Sequence, residues 1–392
     1  MHVVVLPSWY PTTKDDLKGS FFREQAIAIA KRNVQIGVIS PCMRSMRHWE
    51  TVFTGSYKMQ VETDNGVQTY RSHGMAWFPR LPRLSRWHWI RNGRPLFERY
   101  VNDQGMPDLI HVHSMINAGF LALELHLKFG IPFVITEHSS FFARNLLSPD
   151  EVVLARKVAN LASRRFAVSL PFCDLLMHQL GNEAGQWEPM PNIVNQAFLD
   201  HTYRKHTDKS QSLRFLTIAL LTKTKATANL IQAFAQCFME QDKMILEIGG
   251  EGPERPHLEK MVRDLGIQSQ VHFLGELTRL EVIGAMAAAN VFVLPSHYET
   301  FGVVVIEALA LGKPVIATRC GGPESIIESG DGLLVPTNDI DSLAQAMAKI
   351  SLHIESYDPV DIRERCRIRF GEEAIISRLT EVYRDVSNTS VC

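Results

Sequence analysis

The chain has 392 residues, 45% of them hydrophobic and 21% charged, with a formal net charge of -1 at pH 7. That length allows two domains with separate cores, and the composition is globular rather than disordered. A charge this close to zero gives no global attraction to nucleic acid or an anionic membrane, so any such preference must be local.

The opening, MHVVVLPSWYP, carries no basic region and too short an apolar run for a secretory signal. It begins on a strand, HVVVL (2–6). A polar loop leads to Gly19 and an amphipathic helix, SFFREQAIAIAKR, followed by a second strand, VQIGVIS. Further short apolar runs come at 108–113, 131–138 and 164–170, each followed by helical periodicity. Short apolar strands alternating with helices predict a parallel sheet covered on both faces. Prolines, asparagines and a polar tract interrupt the pattern before it restarts, with strands expected at 214–220, 244–250, 271–275, 291–295, 314–318 and 332–336. A helical tail of mixed charge covers 360–386.

The fold expected is therefore α/β, with two doubly wound Rossmann-like domains facing across a cleft. The expected division is 1–190 as the N-terminal domain, 191–212 as linker, and 213–358 as the C-terminal domain. Residues 359–392 would cross back to the first domain. No run is long and apolar enough for a transmembrane helix. Cysteines 42, 173, 237, 320, 366 and 392 show no CxxC or metal-ligand spacing and read as reduced residues of a cytosolic protein.

Glu299 and Glu307 stand out in HYETFGVVVIEALALGKPVIATRCGG, because a carboxylate in so apolar a stretch is costly unless it is paired or holds a polar ligand. Glu299 falls in a strand-to-helix turn and Glu307 in the next helix. The start of that helix offers amides without intrahelical partners and a positive dipole end, with Gly302 allowing close approach of an anion. Phosphates would suit the amides and sugar hydroxyls the carboxylates. Gly19, at the first helix start, allows the same argument for a phosphate or close ligand approach, against a plain N-cap by Ser20. GGEGPE (249–254) is only a partial dinucleotide fingerprint, since Arg255 stands where the third glycine would be.

The segment PSHYETFGVVVIEALALGKPVIATRCGGPESII resembles the signature of retaining glycosyltransferases of family four, which have the two-domain GT-B fold. LEIGGEGPERPHLEKMVRDLGIQSQVHFLGEL and DGLLVPTNDIDSLAQAM resemble neighbouring parts of that family, and PDLIHVHS, GIPFVITEH and MPNIVNQAF its weaker N-terminal landmarks. The resemblance implies that Glu307 meets the ribose of a nucleotide-sugar donor and Glu299 the transferred sugar. It assigns backbone amides of Phe301, Gly302 and Val303 to the donor, Gly252 to the nucleotide pocket, and His138 to the transferred sugar. Lys225 matches a family lysine on the diphosphate, while Leu220 replaces an arginine and Ala226 a common glycine. His111 and His113 read as structural or cleft-lining.

Residues 71–99 carry seven arginines and a single acid, with Trp77, Trp87 and Trp89 among them. Arg80, Arg83, Arg86 and these tryptophans form a candidate patch for the inner leaflet or a lipid-diphosphate acceptor, with a surface loop stacked on its own domain as the plainer reading. Nucleic acid is not expected. The resemblance implies a hexosyltransferase that moves a sugar from a nucleoside diphosphate, expected to be UDP, to a glycan or lipid-linked acceptor in surface polysaccharide synthesis. Configuration would be retained, with no metal or other cofactor and a cytoplasmic or peripheral inner-membrane location. A nucleotide-sugar epimerase and a non-catalytic sugar-nucleotide-binding protein are the alternatives.

Overall fold

The computed structural model describes residues 1–13, 16, 19–44, 59–78, 81–201 and 212–389. The chain divides into two units, Met1–Ile193 with Glu372–Cys392, and Val194–Gly371.

Unit 1 contains strands β1 (His2–Pro7), β2 (Gln35–Arg44), β3 (Gln60–Asp64), β4 (Val67–Met75), β5 (Leu109–His113), β6 (Phe133–Glu137), β7 (Arg164–Ala167) and β8 (Glu188–Pro189). They lie in the order β3-β4-β2-β1-β5-β6-β7-β8. All neighbours are parallel except β3 and β4. Every residue of β1 is buried, as befits a central strand with both faces covered. The β3–β4 hairpin is additional to the expected strands. Asn65 and Gly66 both have positive φ at its turn, the conformation an Asn-Gly hairpin favours.

Helix Pro82–Gln104 follows the hairpin. Its buried face is Trp89, Gly93, Leu96, Phe97 and Tyr100, a helical spacing that seats it on the sheet. Residues 82–99 of the Arg/Trp segment are therefore helix, not a loop. The helix Glu372–Thr389 packs Ile375, Ile376, Leu379, Tyr383 and Val386 into the same core as Val3, Phe22 and Leu109. Truncating any one of these to alanine removes buried apolar contact worth about 2–5 kcal/mol for the larger side chains.

Unit 2 contains β9 (Leu213–Ile218), β10 (Met244–Gly249), β11 (Val271–Gly275), β12 (Val291–Leu294), β13 (Val315–Thr318) and β14 (Gly332–Val335), in the order β11-β10-β9-β12-β13-β14. All are parallel. Each coincides with an expected strand, with bounds shifted by no more than two residues. Within the expected linker, Gln196–Asp200 forms a short helix capped by Asn195, and residues 202–211 lie outside the described residues. The tail forms two helices, Pro359–Phe370 in unit 2 and Glu372–Thr389 in unit 1.

Both units are doubly wound, and each has a point where the winding reverses: β1 with β5 in unit 1, and β9 with β12 in unit 2. Ligands of open α/β sheets bind beyond the carboxyl ends of strands at such points.

Candidate functional site

In unit 2 the loops after β9 and β12 meet at the reversal point. The His297 amide donates to the carbonyl of Thr224 at 2.8 Å, tying the two loops together. Lys225 ends the short helix Lys223–Lys225, and Ala226 takes φ 49°, ψ 33°. That is the left-handed region, which suits the glycine that the family resemblance implies there; alanine sits there at a cost of about 1 kcal/mol.

Lys225 Nζ donates to Glu299 Oε1 at 2.6 Å, and Ser296 Oγ donates to the same oxygen at 2.7 Å. Ser296 is fully buried. The family resemblance implies Lys225 on a donor diphosphate; in the structure its ammonium is on Glu299. Nothing in the sequence singles out Ser296.

Glu299 also bridges to Gly321: its amide donates to Cys320 at 3.0 Å, and its carbonyl accepts from Gly322 at 2.8 Å. The backbone holding the carboxylate is thus fixed on both sides. Helix Val303–Ala310 follows, with Gly302 at its N-cap at φ 103°, so a left-handed residue turns the chain from loop to helix. Phe301 is buried, its ring 5.9 Å from that of Phe370. Val303 is the first residue of the helix, so its amide is among those with no intrahelical acceptor.

Glu307 is only 2% exposed. Arg279 Nη1 donates to its Oε1 at 2.6 Å, and the Arg279 guanidinium lies 4.8 Å from the centre of the Phe198 ring. Arg279 opens helix Arg279–Ala288, which is held by a capping box between Thr278 and Glu281. Nothing near Arg279 in sequence marks it as a partner of a glutamate 28 positions on. Each acid therefore has its own cation.

Gly252 packs its backbone against the loop after β9. The amide of Leu221 donates to the carbonyl of Glu251 at 2.8 Å, and a Cβ on Gly252 would lie 2.3 Å from the Leu221 oxygen. Only glycine fits this approach. Leu220 is exposed.

In unit 1, Gly19 and His138 gather with His113 near the ends of β1, β5 and β6. Gly19 is the N-cap of helix Ser20–Ala30, at φ 79°. Ser20 is the first helical residue rather than the cap, because the left-handed turn falls one position earlier. The Phe22 ring lies 4.7 Å from His113 and 4.8 Å from His138. His138 Nε2 and His113 Nδ1 are 3.0 Å apart, while His111 bonds Tyr383 Oη and Thr136 Oγ1 at 2.5 and 2.9 Å. Burial lowers the pKa of all three imidazoles, His111 to about 3. They are neutral at pH 7. Glu137 accepts from the amides of Met115, His138 and Ser139 at 2.7, 2.9 and 2.7 Å, and burial raises its pKa despite these bonds.

The Arg/Trp patch is partly dismantled. Trp89 is 3% exposed, on the buried face of its helix, so it cannot join a surface patch. Arg83 pairs with Asp150, and Arg86 lies 3.6 Å from Glu151. Trp77 and Trp87 are exposed, and Arg80 lies outside the described residues. Among the described residues no helix is long and apolar enough to cross a membrane.

Residues 23–198 match the family described as Glycosyltransferase Family 4, and residues 201–365 the family described as Glycosyl transferases group 1. The chain belongs to the family-four glycosyltransferases. It is 32% identical over 187 residues to the N-acetyl-alpha-D-glucosaminyl L-malate synthase of Bacillus anthracis, a match covering 47% of this chain and 48% of that protein. The match thus spans about half of that relative's length. Sucrose-phosphate synthase from Thermosynechococcus elongatus is similar with a TM-score of 0.80 at 22% identity, covering 99% of this chain and 100% of that one. HepE of Anabaena in complex with UDP-glucose is similar with a TM-score of 0.69 at 19% identity, covering 98% of this chain and 99% of that one. These likenesses bear out the expected GT-B fold class.

Proposed function

We propose that the protein transfers a hexose from a nucleoside-diphosphate sugar, UDP being the expected nucleotide, to a hydroxyl of a glycan or lipid-linked acceptor, with retention of configuration. The observation that carries this reading is the pairing of Lys225 with Glu299 at the reversal point of unit 2, with a second buried acid, Glu307, in the helix that follows. The family membership and a structural neighbour solved with UDP-glucose support it.

In this reading Glu307 and Arg279 hold the ribose side of the donor. Lys225 and Ser296 both bond Oε1 of Glu299, and in this reading Oε2 meets a hydroxyl of the transferred sugar. The amides at Gly302 and Val303 and the Lys225 ammonium stabilise the departing diphosphate as preorganised dipoles and charge. The bond from the anomeric carbon to the phosphate oxygen breaks, and the acceptor oxygen forms the new bond on the same face. The acceptor's proton passes to the leaving phosphate. His138 is neutral because it is buried, so any contact it makes is a hydrogen bond rather than a charge. We assign no metal to this step. A lipid-linked acceptor would bring the enzyme to the inner leaflet of the membrane.

Incubation with UDP-hexoses and a saccharide panel, read by UDP release and by the anomeric coupling constant of the product, tests this reading. A new glycoside with the donor's configuration, formed equally with EDTA, is expected. A rearranged donor with no glycoside, an inverted product, or loss of turnover with EDTA contradicts the corresponding part.

A further inference from the structure

A cavity of about 590 Å³ opens in unit 1 between the end of β4 and the first half of helix Pro82–Gln104. Its lining includes Ser72, Trp77, Trp87, His88, Arg91 and Asn92. The volume is that of an ordinary small-molecule site. Ser72 reaches it from the second half of β4, toward the carboxyl edge of the parallel sheet, where doubly wound sheets hold ligands. Trp87 and Arg91, and likewise His88 and Asn92, are one helical turn apart, so four of these side chains share one helix face. Pro95, also in the lining, has no amide to give the Arg91 carbonyl four residues earlier.

The charges sort themselves. Arg83, Arg86 and Arg94 are tied to Asp150, Glu151 and Glu124. Arg91 instead stacks over Trp87, its guanidinium 5.2 Å from the ring centre. Ser72 Oγ is buried without a hydrogen-bond partner among the described residues. A hydroxyl left in that state costs about 1–3 kcal/mol, which a ligand hydroxyl would offset.

Aromatic faces beside a guanidinium, an amide, an imidazole and an unpaired hydroxyl match the chemistry of a pyranose. Its C–H face lies against an indole, and its hydroxyl edges take fork-like and single hydrogen bonds. A bilayer would instead call for a broad face of unpaired cations, and three of the arginines here are already neutralised.

We propose that this cavity is a saccharide-binding site, occupied by a hexose or hexuronate ring of the acceptor glycan, with Trp87 and Arg91 as its principal contacts. Its designation as an acceptor site rests on the glycosyltransferase reading above; its binding of saccharide does not.

The test uses the full chain and disaccharides ending in glucose, galactose, N-acetylglucosamine or glucuronate, followed by saturation-transfer NMR and tryptophan fluorescence. At least one disaccharide binds, and both Trp87→Ala and Arg91→Gln weaken it at least tenfold. Both variants keep the wild-type thermal shift with UDP. Trp87 is 48% exposed, so its truncation leaves the core intact. The proposal is overturned if no disaccharide in the panel binds the wild type, or if both variants bind as tightly as it does. It is also overturned if phosphatidylglycerol vesicles, and no saccharide, change the tryptophan signal. Absence of a UDP shift in the wild type, with saccharide binding lost in both variants, leaves the site standing and sinks only the donor reading.

Discussion

Lys225 and Glu299, 74 positions apart in sequence, are joined by a 2.6 Å hydrogen bond at the point where the sheet of unit 2 reverses its winding. An ion pair at this place does two things. It stabilises the two loops, and it holds a carboxylate and an ammonium side by side where a ligand of an α/β sheet would lie.

Glu299→Gln keeps the shape and removes the charge. A fall in kcat of about 10²-fold is expected, as for removal of one preorganised electrostatic contact, with a modest fall in melting temperature from the weakened link between the loops. Turnover equal to wild type would mean the carboxylate serves only to join the loops.

Arg279 and Glu307 form the second pair, and Glu307 is the more deeply buried partner. Arg279→Leu leaves its carboxylate without this cation and should cost about 3–5 kcal/mol in urea unfolding. The double change Arg279→Leu with Glu307→Leu should recover most of that stability and still bind no UDP. Recovery of UDP binding in the double variant would remove Glu307 from the donor site.

Gly252 lies too close to the Leu221 carbonyl to carry a side chain. Gly252→Ala should destabilise unit 2 by about 1–3 kcal/mol and weaken UDP binding, because the loop bearing Lys225 must shift. Gly284, inside helix Arg279–Ala288, has open space at its Cβ position. Gly284→Ala should therefore stabilise by about 0.5–1 kcal/mol. Equal unfolding midpoints for the two variants would contradict this contrast.

His111, His113 and His138 have folded pKa values below the ordinary value of 6.5, so the unfolded chain binds their protons first as pH falls. Stability is then fully present above pH 6.5 and declines below it, as the unfolded chain takes up protons that the folded one does not. Glu137, with its pKa raised, acts in the opposite sense above its ordinary value of 4.5 and reduces the slope. Urea midpoints measured from pH 7.5 to 5 should fall steadily below about 6.5. A flat profile would show that these imidazoles are protonated in the folded protein.

The alternation of short apolar runs and helical segments was legible because buried parallel strands are apolar throughout, and β9 to β14 each answer to such a run. The β3–β4 hairpin was not, because β3, QVETD, is an exposed edge strand with no apolar signal, although Asn65-Gly66 marked its turn. Glu299 and Glu307 stood out as acids in an apolar setting. Their partners did not, since Lys225 and Arg279 are brought to them by other strands and helices. The arginines of 71–99 look unpaired in a local charge count, yet Asp150, Glu151 and Glu124 come to three of them from distant helices. Trp89 is hidden by helix phase, which a count of aromatic residues does not register.

The most direct test of the central claim is the thermal unfolding of the wild type and Glu307→Ala with UDP and UDP-glucose, alongside other nucleoside diphosphates. A ligand that binds only the folded state raises its stability by mass action, about 2.7 kcal/mol at one hundred times Kd. A rise in melting temperature with a uridine nucleotide is expected in the wild type and none in the variant. No shift with any nucleoside diphosphate, or the same shift in both proteins, would contradict it.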